Sequence, residues 1–176
     1  MRIISGSLKG AYFDSPHGRR THPMSDRVRG ALFNALGDVS GLTVFDPFGG
    51  TGALAFEAVS RGAVSAVVCE LDKQAQKTIV QNIDQLNLAL KVEMHFGNVK
   101  SWLRRNVERT FDLVLADPPY DDIDPALLRL VAARTVPGGI FVVSWPGKEA
   151  PLFVEGLELV QTNGYGDAQL LFFRRR

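Results

Sequence analysis

The chain has 176 residues, 45% of them hydrophobic and 22% charged, with a net charge of +1. That suits one globular domain with a substantial core. No run approaches the roughly 18 apolar residues of a membrane span, and no secretory apolar segment opens the chain. The single cysteine, Cys69, rules out an internal disulfide, and a cytosolic protein is expected.

The charge is uneven: residues 1–36 carry a net +4 and the remainder −3. A basic amino-terminal segment on a near-neutral body suggests contact with a phosphate backbone. Arg2–Gly6 and Ala11–Phe13 flank a Gly/Lys turn and are expected to pair as a small hairpin. The loop 15–20 that follows holds Arg19 and Arg20. Ser25 can cap a helix ended by Gly37, with Val28, Ala31, Leu32, Ala35 and Leu36 on its buried face. Arg27 and Asn34 fall off that stripe.

Strand-like and helix-like segments then alternate, which predicts an α/β protein with a parallel sheet covered by helices. Strands are expected at Leu42–Asp46, Ala66–Cys69, Val92–Phe96, Phe111–Ala116 and Ile140–Trp145. Helices are expected at Gly52–Arg61, from the Asp72 cap to about Asn87, near Lys100–Arg104, and after Asp124-Pro125. Leu157–Thr162 and Leu170–Phe173, joined through Asn163-Gly164, read as a terminal antiparallel pair. Cys69 lies in an apolar run and reads as a buried thiol, and the scattered His17, His22 and His95 give no metal-ligand spacing.

Two turns carry the chemistry. Asp117-Pro118-Pro119-Tyr120 follows the apolar run Leu113–Ala116, and consecutive prolines cannot extend a sheet ladder. The chain must leave the strand's carboxyl end there, where ligands of open α/β sheets bind. A carboxylate, a proline carbonyl and an aromatic ring suit a planar base with an exocyclic amine. Acceptors for both amine hydrogens favour the pyramidal geometry in which the nitrogen lone pair can attack. The second turn, Asp46-Pro47-Phe48-Gly49-Gly50-Thr51-Gly52, joins a strand to a helix amino terminus. With Glu70 about 20 residues on, it also fits a dinucleotide fingerprint. The Asp46 carboxylate would repel a pyrophosphate but suits an ammonium and a sulfonium, favouring S-adenosylmethionine over NAD. Glu70 is placed for ribose hydroxyls, and Asn98 either flanks the adenine or caps the next helix.

In combination these residues resemble the RsmD-like family of bacterial 16S ribosomal RNA guanine-N2 methyltransferases. The resemblance rests on Met1–Gly6 with Lys9-Gly10, Asp26–Arg29 with Ala31–Asn34, Asp46–Gly52 with Ala53-Leu54 and Glu57-Ala58, Ser60–Ala63, Asp117–Tyr120, and Tyr165–Asp167. Departures are Gly30, His22-Pro23-Met24 and Asn98. The resemblance implies a Rossmann-like class I fold with a seven-stranded, mostly parallel sheet and helices on both faces. Residues 1–22 read as a basic arm, too short to fold alone, before a methyltransferase domain (23–176), and a monomer is expected. The donor would be S-adenosylmethionine, held by Asp46–Gly52, Glu70, Leu71, Asn98 and Val99. Asp117, Pro118, Pro119 and Tyr120 would hold the base, and Arg2, Lys9, Arg19, Arg20 and Arg27 would grip phosphates of 16S rRNA in the assembled or late-precursor small subunit. Rival readings are transfer to adenine N6 or a protein glutamine, an NAD-dependent oxidoreductase, and a non-catalytic RNA-binding module.

Overall fold

The structure is a computed structural model that describes residues 1–16 and 24–176. Seven strands form one sheet: β1 (Thr43–Asp46), β2 (Ser65–Glu70), β3 (Val92–Phe96), β4 (Phe111–Ala116), β5 (Thr135–Pro146), β6 (Leu157–Tyr165) and β7 (Ala168–Arg175). Their order is β3-β2-β1-β4-β5-β7-β6, and only β7 runs against the others. The order reverses between β1 and β4, which opens a crevice above their carboxyl ends. The expected Rossmann-like class I fold is present.

Among the described residues five helices cover the sheet: α1 (Asp26–Leu36), α2 (Ala53–Ser60), α3 (Lys73–Gln85), α4 (Val99–Arg105) and α5 (Pro125–Ala132). Their starts follow from the sequence. Ser25 accepts from the Val28 amide, Asp72 from Ala75 and Asp124 from Leu127, and Pro125 opens α5. Central strands alternate between two cores. Val44, Leu113 and Leu115 pack under α1, α2 and α3, whereas Phe45, Val114 and Ala116 pack under α4 and α5. Phe45, Trp102 and Phe111 stack together in the second core, where Cys69 is also buried.

Three expectations change. The terminal hairpin does not turn at Asn163-Gly164: both lie within β6, opposite Leu170 and Gln169, and the loop is Gly166-Asp167. The cross-strand register sets this: Leu157 already faces Arg175, which centres the turn near Gly166, beyond the Asn-Gly pair. Strand β5 starts at Thr135 rather than Ile140, because an irregularity opposite Phe111–Leu113 lets the chain pass Pro137-Gly138-Gly139 without leaving the sheet. Helix α1 is rotated from its expected face, burying Arg29, Leu32 and Phe33 and exposing Ala35.

That rotation has an electrostatic cause. Arg29 and Glu57 are both wholly buried, with Arg29 Nε 3.6 Å from Glu57 Oε2. The Arg29 guanidinium donates to the Arg2 carbonyl (2.7 Å) and to Asp26 (2.9 Å). Glu57 accepts from the Ile4 and Ser5 amides and from Arg61, whose guanidinium stacks over the Phe33 ring. The expected amino-terminal hairpin is present in short form: Arg2 bridges Tyr12, and backbone hydrogen bonds join Met1 to Phe13 and Ile3 to Gly10 and Ala11. Its residues Ile3 and Phe13 lie in the first core, with Phe13 edge-on to Phe56 at 5.4 Å. Glu57→Ala removes the buried one of two carboxylate partners of Arg29 and leaves the Ile4 and Ser5 amides without their acceptor, so it is expected to cost about 3–5 kcal/mol in urea unfolding. A loss below about 1 kcal/mol would show that the pair contributes little.

Candidate active site

The crevice between the strand ends is a single open cleft of ≈ 1780 Å³. Its lining includes Pro47–Thr51, Glu70–Ala75, Gly97–Lys100, Asp117–Asp122 and Ser144. The two sequence motifs thus face each other across one space, because β1 and β4 are adjacent. A cleft of this size exceeds the usual range of about 300–1,000 Å³ for one small ligand and leaves room for two.

The glycine turn is fixed by packing. A Cβ on Gly49 would lie 2.5 Å from Val68 Cγ1, and its amide donates to the Cys69 carbonyl at 2.8 Å. Gly52 precedes α2 with φ +78°, and a Cβ there would meet the Phe56 ring at 2.6 Å. Glu70 braces the turn: one carboxylate oxygen accepts from the Gly50 amide and the other from Asp72, each at 2.7 Å. Each oxygen keeps a further lone pair directed away from those amides. Leu71 is two-thirds exposed on the cleft rim, and Val99 is buried in its lining. Asn98 caps α4 by accepting from the Ser101 amide at 2.8 Å and also lines the cleft, so both expected roles are open to it.

Asp46 is 1% exposed, and among the described residues neither carboxylate oxygen has a hydrogen-bond partner. It lies beneath the turn, outside the cleft lining. Burial raises its pKa to about 8, and the carboxylates of Asp117 and Glu70 add to the effect. The Phe48 and Ala55 amides oppose it without reaching hydrogen-bonding geometry. Asp117 is partly open to the cleft, yet desolvation raises it to about 6 against the pull of the Ser144 hydroxyl. Three carboxylates therefore converge at the ends of β2, β1 and β4. Their arrangement suits a ligand carrying positive charge. Among the described residues no cluster of metal-ligating side chains occurs.

Pro118 is buried and Pro119 exposed in the acidic turn, which continues as a single 3-10 turn, Tyr120–Asp122. The Tyr120 hydroxyl bonds to Ser144 Oγ (2.7 Å) and to the Trp145 carbonyl (3.2 Å), while its ring remains 41% exposed at the cleft. Ser144 is the main residue the sequence reading missed. Its signal was one hydroxyl closing the apolar run Ile140–Val143 at a strand's carboxyl end. Ser25 and Val28, at the start of α1, also line the cleft without having been expected there.

The expected phosphate contacts separate. Arg2 reaches Asp26 at 3.3 Å, at the amino end of α1, and Arg27 is exposed nearby. Lys9 follows Leu8, whose amide binds Ser60 at the far end of α2, about 12 Å along that helix from Gly52. Arg19 and Arg20 lie outside the described residues, but the flanking Pro16 and Met24 both line the cleft.

Sheet order and paired strand-end turns define a class I methyltransferase fold. The chain belongs to the family described as Conserved hypothetical protein 95, which matches residues 1–174 and is the RsmD-like family expected from the motifs. Ribosomal RNA small subunit methyltransferase D of Buchnera aphidicola (Acyrthosiphon pisum symbiont, strain APS) is 33% identical over 67% of this chain, and that match spans only 62% of the Buchnera protein. YlbH of Bacillus subtilis (strain 168), whose name marks it provisionally as an rRNA methyltransferase, is 29% identical over 100% of both chains. Among solved structures, a hypothetical protein of Thermus thermophilus, TTHA0928, is 25% identical with a TM-score of 0.84, covering 99% of each chain.

Asp46 yields a prediction with a defined sign. Its folded pKa lies above the ordinary 3.8, so unfolding between about pH 4 and pH 8 releases a proton, and stability falls as pH rises through that window. Asp46→Asn should therefore raise the melting temperature at pH 8, with the gain shrinking toward pH 4. An equal gain at both ends would remove ionisation as its cause.

Proposed function

We propose that the chain is an S-adenosylmethionine-dependent methyltransferase that modifies the exocyclic N2 of a guanine in 16S ribosomal RNA. The observation that carries this reading is the meeting of the Gly49–Gly52 turn and Asp117-Pro118-Pro119-Tyr120 across one cleft, above carboxylates that lack a cation. Relatives named as rRNA methyltransferases, the Buchnera one for the small subunit, support an rRNA substrate. The acidic turn and the family resemblance support the amine as acceptor. The reading extends to a monomer acting in the cytoplasm on the assembled or late-precursor small subunit; no helix among the described residues is long and apolar enough to cross a membrane.

Asp46, the Pro47–Gly52 turn, Glu70, Leu71, Asn98 and Val99 would hold the donor. The donor's positive charge would favour loss of the Asp46 proton beneath the turn, and Glu70 keeps acceptor capacity for ribose hydroxyls. Bound there, the donor supplies an electrophilic methyl group. A dinucleotide would instead set its pyrophosphate near the Glu70 carboxylate, at a cost in like-charge repulsion.

At the acceptor side Asp117 and the Pro118 carbonyl receive the amine hydrogens, and the Tyr120 ring covers the base. The base must leave its neighbours to reach this depth. As the nitrogen gains a bond its N–H becomes strongly acidic, and the Asp117 carboxylate, with a pKa of about 6, is largely ionised at neutral pH and can take that proton. Positioning and electrostatics carry the rate, with no covalent enzyme intermediate required.

Asp117→Ala should lower kcat by about 10²- to 10⁴-fold and leave calorimetric donor binding measurable. A folded variant that no longer binds donor would contradict this division of roles. Nucleoside mass spectrometry of 16S rRNA from a deletion strain should show loss of N2-methylguanosine. Loss of N6-methyladenosine instead would establish the adenine reading.

A further inference from the structure

A second cavity of ≈ 430 Å³ opens beside the cleft, lined by Ser25, Arg27, Val28, Gly164, Tyr165 and Gly166. Ser25 and Val28 also line the main cleft, so the two spaces share a wall. The annex is built from the amino end of α1 and the end of the β6–β7 hairpin, and of its lining only Arg27 carries a role expected above, as a phosphate contact. Its volume lies within the range of about 300–1,000 Å³ typical of small-ligand sites.

Two side chains give it a chemical character. Tyr165 is half-buried, packed against the first core and also lining the cavity. Arg27 is exposed, and among the described residues it has no acidic partner, whereas Arg2 and Arg29 share Asp26. An aromatic face beside an uncompensated guanidinium is the pairing that single-stranded nucleic acid uses, ring for base and cation for phosphate.

Sheet geometry sets the separation. Asp117 follows β4 and Tyr165 ends β6, with β5 and β7 between them. Three steps of about 4.8 Å put the annex roughly 14 Å from the acceptor turn. Pro146 pairs with Ala168 and Ala168 with Tyr165, so the annex stands level with the strand ends that hold Tyr120.

We propose that this annex is a subsite for a nucleotide flanking the extruded guanine, its base against the Tyr165 ring and its phosphate at Arg27. The proposal rests on the reading of the main cleft as an RNA methyltransferase site. It assigns Tyr165 and Arg27 to RNA strand recognition, a task distinct from donor binding and from methyl transfer.

The test uses the full chain, S-adenosylmethionine, and small ribosomal subunits from a deletion strain. Tyr165→Leu should raise KM for the subunit about 5- to 150-fold, with a smaller effect on kcat and donor affinity unchanged. Tyr165→Phe should behave as wild type, since the ring is what binds. Arg27→Gln, at an exposed position that does not threaten folding, should reduce the slope of log affinity against log salt by about 0.7. If wild type transfers methyl groups and either Tyr165→Leu keeps its KM or Arg27→Gln keeps its salt slope, the subsite is overturned and the main-cleft reading survives. If wild type methylates no RNA, both fall together.

Discussion

A carboxylate without a partner governs this molecule. Asp46 sits beneath the first turn of the sheet's central strand, shielded from water and facing two more acids, with no cation among the described residues to balance it. Isolated burial of this kind costs several kcal/mol and is tolerated only where something compensates. At neutral pH a proton supplies that compensation, because burial raises the Asp46 pKa to about 8; a positively charged ligand above the Gly50 turn would favour the proton's release, which links binding to pH.

The rest of the architecture keeps this arrangement rigid. Glu70 ties the glycine turn to the second strand, and close packing of Gly49 on Val68 fixes its height above the sheet. On the outer side, the Arg29–Glu57 pair joins the amino-terminal segment, α1 and α2 through buried hydrogen bonds. Since α2 begins at the glycine turn and α1 begins at the cleft rim, the surfaces proposed to face donor and RNA belong to one body. A basic segment that looks peripheral by charge is thus anchored through Ile3 and Phe13 in the core.

How much could be read from sequence follows from the range of the forces involved. Strand positions, helix caps at Ser25, Asp72 and Asp124, and the two site turns were legible because each depends on neighbouring residues. The face of α1 was not, because Arg29 is buried by Glu57, 28 positions away, and periodicity counts an arginine as a surface residue. The Asn163-Gly164 pair misled for a similar reason: cross-strand register with Leu170 and Gln169 outweighs a local turn preference. Ser144 was invisible until β5 placed it under the Tyr120 hydroxyl.

The Tyr120 tether has a further consequence. With its hydroxyl fastened to Ser144 and to the Trp145 backbone, the ring is pinned at both ends and cannot swing to follow an incoming group. For a planar base entering as proposed above, the entrance would be a fixed-gauge slot whose width is set by the spacing of β4 and β5. Discrimination between one planar heterocycle and another then falls to whichever polar edge meets the acidic corner, and evolution can retune that choice by changing the corner while leaving the slot alone.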